Sequence, residues 1–355
     1  MENIKYALIG FGGIAENRIA KEGFGCDAER VGTLFNAKLV GATDINQKRK
    51  SAAEKLGLKW YKDADAVLSD KNIDAVFVAT NNLTHFSIAK AALEAGKHVI
   101  VEKPLAANSK DAAALVRLAK EKRLSLSVDH MMTKNVLNNK ARLLVKRGKL
   151  GQVNDACFHM EFAFGYDPSE AASWRCSNWD EMGGPIGDVA SHCFYMAEFI
   201  FNSKVVSVNA VYYPKTMSIK VEDGAYIRFT LANGITCSAK VAFCEMRGGA
   251  GGTLTNLGYE IYGDQAVLRS YGTMFQFSGY ADEPIRMRLE LDTFQKQQKY
   301  TIRKPENIYQ GVIVEHAASI IRQRPLNGKN GLRNVLICEA AHCSARNGGK
   351  TIKVK

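Results

Sequence analysis

Residues 5–15, KYALIGFGGIA, pass from an apolar run through a cluster of glycines and straight into a helical pattern. A strand that ends in G-x-G-x-x-A and opens a helix constrains this chain more than any other stretch. Gly10 supplies the tight turn, Gly12 lets a pyrophosphate approach the backbone, and the small Ala15 lets the helix pack closely on the strand. The helix start adds unpaired N–H groups and the positive end of a dipole. Gly10, Phe11, Gly12, Gly13 and Ile14 are therefore the expected dinucleotide-phosphate turn.

Such a unit needs a parallel sheet around it, and the first third of the chain supplies one. Strand-like runs at 5–10, 37–43, 74–80, 98–102 and 124–128 alternate with amphipathic helical patterns such as 84–95 and 109–120. Apolar strands separated by helices imply a doubly wound parallel sheet covered on both faces. After about residue 128 the pattern changes. Helices are expected at 136–148 and 186–201. Alternating strands follow at 204–214, 223–232, 235–245 and 257–262, with a turn at Ala232-Asn233-Gly234. Helices at 308–323 and 332–345 precede a final short strand, TIKVK. The expected fold class is α/β: a nucleotide-binding domain over 1–128, then an α+β domain with a largely antiparallel open sheet over 129–355. The stretch RGGAGGT at 247–253 reads as a flexible loop.

Three further places carry chemistry. Asp44 ends the second strand, where a carboxylate accepts both ribose hydroxyls of NAD and repels a 2′-phosphate. It follows Ala15 at a longer spacing than usual, for which KEGFGCDA (21–28) reads as an insertion. Capping of the next helix is the alternative role for Asp44, and Lys48, Arg49 and Lys50 leave NADP as the lesser possibility. The run VIVEKPLA (99–106) places Glu102 and Lys103 at a strand's carboxyl end, the edge where ligands sit in such sheets. Thr80, Asn81, Asn82 and His85 fall at a similar end. A Glu–Lys pair at a loop is the structural alternative. In GGPIGDVASH (183–192), Asp188 and His192 are four apart on an expected helix and share a face. A carboxylate beside a histidine can orient it for proton transfer, although a lone D-x-x-x-H is more often a surface pair.

Composition excludes other classes. No apolar run reaches the roughly 20 residues that a bilayer requires. The chain opens directly into a strand, with no leader-like segment, and the eight cysteines form no C-x-x-C pair. Both features are those of a cytoplasmic protein. No His/Cys/Asp cluster has ligand spacing, so no metal is expected. The net charge of +12 is distributed in short runs such as QKRK and KEKR, which read as solvated helix faces rather than a nucleic-acid stripe.

Taken together, GFGGIA, Asp44, NNLTH, VEKPLA, Trp174-Arg175 and GGPIGDVASH occur in the order that resembles the Gfo/Idh/MocA oxidoreductases. The closing stretch RNVLICEAAHCSARNGGKTIKV is similar to that family too. The resemblance implies an N-terminal Rossmann domain, NAD as cofactor, a cis Lys103–Pro104 bond and a catalytic set of Lys103, Asp188 and His192. It departs where Thr80-Asn81-Asn82 replaces the usual T-P-N, and where Thr133, in DHMMTKN, stands at a common arginine position. His130, Trp174, Arg175 and Trp179 are the remaining candidates for the substrate, with core packing the alternative for the tryptophans.

The reaction expected is oxidation of a secondary hydroxyl on a sugar, glycoside or cyclic polyol by hydride transfer to NAD. An NAD-dependent glycosidase that oxidises its sugar transiently would use the same residues. A non-catalytic dinucleotide sensor would tend to lose Lys103 and His192, and both are present. A small-molecule substrate and a homodimer or homotetramer are the expected partners, with no nucleic acid and no membrane.

Overall fold

A computed structural model of the chain describes residues 3–246, 255–276, 286–304 and 306–355. The loop expected at 247–253 lies outside the described residues. The chain forms two compact units, Met1–Met131 with Asn307–Val335, and Met132–Glu306 with Leu336–Lys355. Residues 307–335 thus pack with the opening segment rather than with their neighbours in sequence.

The first unit is built on strands β1 (Ile4–Ile9), β2 (Ala37–Thr43), β3 (Lys59–Trp60), β4 (Ala75–Val78), β5 (His98–Val101) and β6 (Leu126–Val128), in the order β3-β2-β1-β4-β5-β6. The pairings are parallel, as the alternation with helices requires. β4 is buried along its whole length, and Tyr6, Ala7 and Leu8 of β1 are fully buried. Both faces of the sheet are therefore covered. Helix Ile308–Ile321 packs on this sheet and on helix Ala15–Gly23. Its His316 receives the Tyr6 hydroxyl at Nδ1, 2.7 Å away.

The first helix does not break into an insertion at residue 21. It runs on to Gly23 with π geometry, and Cys26 and Asp27 bond back to Ala20 and Lys21. The additional length is absorbed by the helix and its C-terminal turn. Glu22, buried there, is held by Arg18, Arg30 and Asn307, so the expected surplus residues serve as a packed and charge-paired joint.

The second unit carries β7 (Val153–Glu161), β8 (Val205–Tyr212), β9 (Gly224–Leu231), β10 (Thr236–Ala242), β11 (Leu257–Gly263), β12 (Ala266–Tyr271), β13 (Arg288–Thr293), β14 (Gln297–Thr301) and β15 (Ile352–Lys353). Among the described residues these form one sheet, ordered β14-β13-β12-β11-β7-β10-β9-β8-β15. All pairings are antiparallel except β7 with β10. The sheet is mixed, and β7 sits at its centre. Its inner face carries the buried Phe158, Tyr259, Phe229 and Ile227, and Phe194 of helix Ser191–Phe201 meets Phe229 at 5.4 Å. No helix among the described residues is long and apolar enough to cross a membrane.

Candidate active site

In the first unit the glycine turn forms as its sequence requires. Gly10 adopts φ +92°, and a side chain there would lie 2.6 Å from the Ala79 carbonyl oxygen. Only glycine fits. At Gly12 and Gly13 the reverse holds: an added Cβ would meet nothing within 4 Å. The turn therefore presents open, side-chain-free backbone at a helix start, which fits a dinucleotide pyrophosphate.

Asp44 locks this turn to the end of β2. One carboxylate oxygen accepts from the Phe11 N–H at 2.6 Å and the other from Asn46 N–H at 2.7 Å. Arg49 is engaged here as well: its Nε donates to the Phe11 carbonyl at 2.7 Å and its guanidinium pairs with Glu16.

The ends of β4, β5 and β6 bring together the other candidates of this unit. Glu102 bonds through its own N–H to Val78 O, and its carboxylate accepts from the Lys103 N–H at 2.9 Å. The Lys103–Pro104 bond is cis. His85, fully buried near the start of helix Asn82–Glu94, places Nδ1 2.7 Å from Pro104 O and Nε2 3.1 Å from Thr80 O. It ties the segment after β4 to the segment after β5. Burial, opposed in part by those carbonyls, lowers its pKa, with the charge of Lys103 adding to the shift. Thr84 Oγ1 bonds Thr80 Oγ1 and Asn81 O, both at 2.8 Å. His130 is nearly buried beyond β6, and burial followed by the Lys103 charge pushes its pKa down to about 3. Lys103, His85, Thr80 and His130 thus share one strand-end cluster.

In the second unit Gly183 and Gly184 form a crowded entry to the Asp188 helix. A Cβ at Gly183 would lie 2.6 Å from the carbonyls of Trp174 and Asn178, and one at Gly184 (φ +87°) would strike the Glu222 carboxylate. Ile186–Ala190 has π geometry and Ser191–Phe201 is α-helical. The widened turn, a feature common at functional sites, changes the simple i,i+4 relation that the spacing implies. Asp188, nearly buried, pairs with Arg175 Nε at 3.2 Å. His192, also nearly buried, sets Nδ1 2.8 Å from the Tyr195 hydroxyl.

Arg175 also lies 4.7 Å over the Trp174 ring. Trp179 donates to Lys220 O at 3.1 Å and stacks among Tyr212, His342 and Arg346. Glu222 is the participant that sequence reasoning missed. Its Oε1 accepts from Ile186 N–H at 2.8 Å, Oε2 is buried with no hydrogen-bond partner, and burial raises its carboxyl to about 8. Such a group is held as the neutral acid. Tyr195 was missed as well; its only sequence signal is an i,i+3 position after His192.

Comparison with known proteins bears on the family and the fold. Residues 4–130 match an oxidoreductase family described as having an NAD-binding Rossmann fold, and residues 138–269 match the GFO/IDH/MocA C-terminal domain. The chain is 27% identical to a 1,5-anhydro-D-fructose reductase of Ensifer adhaerens over 61% of this chain and 63% of that one. It is 33% identical to a levoglucosan dehydrogenase of Pseudarthrobacter phenanthrenivorans, over 45% of this chain and 41% of the relative. These alignments therefore span less than two thirds of either relative's length. The fold is shared with an aldose-aldose oxidoreductase of Caulobacter crescentus at TM-score 0.82 and 22% identity, covering 99% of this chain and 100% of that one. With both family regions matched in order along one chain, this protein belongs to the Gfo/Idh/MocA oxidoreductases.

Proposed function

We propose that the protein is an NAD-dependent dehydrogenase oxidising a secondary hydroxyl of a sugar, glycoside or cyclic polyol. The observation that carries this reading is the position of Lys103, an ammonium at the carboxyl end of β5, in the unit whose Gly12–Gly13 backbone is open for a dinucleotide. The 1,5-anhydro-D-fructose reductase and the levoglucosan dehydrogenase, both named for sugar chemistry, support the substrate class. A bound nicotinamide dinucleotide supplies the hydride acceptor.

Lys103 donates a hydrogen bond to the reacting oxygen and stabilises its developing negative charge. His192 takes the hydroxyl proton, its ring orientation set by the Tyr195 hydroxyl. Asp188 holds Arg175 over Trp174, and this cation and aromatic face bind the sugar. NAD is preferred over NADP because Asp44 faces the ribose end of the turn, while Arg49 is already committed to Glu16 and Phe11. The eight cysteines, all free thiols, fit a reducing cytosol.

The experiment is a screen for NADH formation against inositols, aldoses, uronates and glycosides. Stoichiometric NADH from one of these classes is the expected result. Sugar release or rearrangement without net NADH would replace the dehydrogenase reading with transient oxidation.

A further inference from the structure

On the face of the second sheet opposite its aromatic core, β7 presents Cys157 and His159 two residues apart, and β11 places Glu260 directly across from Cys157. One ligand atom from each of the three residues lies within 4.8 Å of the others. We propose that Cys157, His159 and Glu260 bind a divalent transition-metal ion of the zinc type on this face, separately from the residues assigned above to dinucleotide and sugar.

Two observations go beyond proximity. His159 Nε2 is 3.3 Å from Glu260 Oε2. Two ligands bonded to one tetrahedral ion at about 2.0–2.1 Å lie roughly 3.3–3.4 Å apart, so this N and O already have the separation of co-ligands. The other ring nitrogen, Nδ1, faces Glu161 Oε1 at 3.1 Å. Glu161 is almost completely buried, and its second oxygen, Oε2, has no hydrogen-bond partner. A histidine that binds through one nitrogen while a buried carboxylate fixes the other is the usual outer arrangement of a zinc ligand. Glu161 is therefore a positioning residue.

The donor set selects the ion. A thiolate and an imidazole favour Zn2+, Co2+ or Cu2+ over Mg2+ and Ca2+, which require oxygen ligands. Three protein ligands leave a fourth position for water. On binding, the Cys157 thiol gives up its proton as the S–metal bond forms. The motif escapes a reading of spacing because Glu260 is 101 residues from His159 in sequence and only strand pairing brings them together.

The test uses the full chain, treated with chelator, freed of it, and titrated with Co2+. The expected result is a saturable spectrum at one ion per chain, with a thiolate-to-cobalt charge-transfer band that Zn2+ displaces and Mg2+ does not. Cys157→Ser should remove that band, and Glu260→Gln, at a more exposed position, should weaken binding without any folding defect. Glu161→Gln should keep the band but lower affinity by about 10–100-fold. Thermal melts of each apo variant separate lost ligands from lost structure. Absence of a saturable band in the unmutated chain overturns the site, as does a band that survives in folded Cys157→Ser or unchanged affinity in Glu260→Gln.

Discussion

At the ends of β4, β5 and β6 the candidate side chains are held by backbone, whereas around Asp188 and His192 they are held by other side chains. Gly10, the Asp44-capped turn and the residue after β5 occupy places dictated by the parallel sheet, and their partners are mainly N–H and C=O groups. In the second unit Glu222 supports the start of the helix, Arg175 pairs with Asp188, and Tyr195 meets His192. The first arrangement is stiff because a strand end is fixed by its neighbours. The second depends on buried polar groups, which stabilise only while every partner is in place. Perturbing the two regions should therefore produce different signatures.

The largest effects are expected at the proposed reacting groups. Lys103→Met keeps the aliphatic bulk and removes the charge, so kcat should fall by about 10²–10³-fold, as for loss of one preorganised donor. The NAD dissociation constant should change far less, because Gly12, Gly13 and Asp44 are untouched. Near-full turnover in this variant would show that the Glu102–Lys103 pair is merely structural. His192→Asn should lower kcat by about 10²-fold and flatten the acidic limb of the pH–rate profile. A profile that keeps that limb would move the proton-transfer role elsewhere.

The same contrast explains what was legible in the sequence. Asp44 and Lys103 could be placed from the strand pattern alone, since the end of a parallel strand is visible as the end of an apolar run. His85 could be located, but not its link to Pro104, because both partners of its ring are backbone oxygens. Glu222 gave no signal: it reaches Ile186 from 36 residues away, and an acidic Glu222-Asp223 pair before a strand looks solvated. Strands β7, β12, β13 and β14 were missed for a related reason. β7 alternates Ala156, Phe158 and Met160 with Cys157, His159 and Glu161, and that polar row dilutes the apolar pattern. Helix Ile308–Ile321 was recognised as a helix, but an apolar face does not say which sheet it will meet.

Glu222 offers the next test, through stability rather than turnover. Its carboxyl is raised by burial from 4.5 to about 8, so the native state holds this proton more tightly than the unfolded chain does. Stability from this group is complete below about pH 4.5, declines as pH rises towards 8, and is level above. The full span is on the order of a few kcal/mol. Glu222→Gln retains an acceptor for the Ile186 N–H but has no proton to lose. Melting temperatures measured from pH 5 to pH 9 should show the unmutated protein losing stability relative to Glu222→Gln as pH rises. A constant gap would mean that the carboxyl is ionised in the native protein and that its support of the helix is electrostatic.

The smallest effect belongs to the stiff region and concerns which dinucleotide it accepts. Asp44 accepts two backbone N–H bonds at the end of β2, the position from which a carboxylate meets the ribose in such folds. A 2′-phosphate there would meet like charge, and Arg49, tied to Glu16 and Phe11 O, is not positioned to offset it. Asp44→Ser keeps a hydroxyl acceptor and removes the charge. The ratio of kcat/KM for NAD over NADP should fall by about 10-fold, the scale of one charge-assisted hydrogen bond, chiefly because NADP improves. Adding Glu16→Gln should free the Arg49 guanidinium and shift the ratio further towards NADP. If the unmutated enzyme turns over both dinucleotides equally, the carboxylate serves the turn rather than the cofactor. If Asp44→Ser instead weakens both dinucleotides alike, its two N–H bonds to Phe11 and Asn46 are the whole of its role, and selectivity must come from residues that the strand ends do not carry.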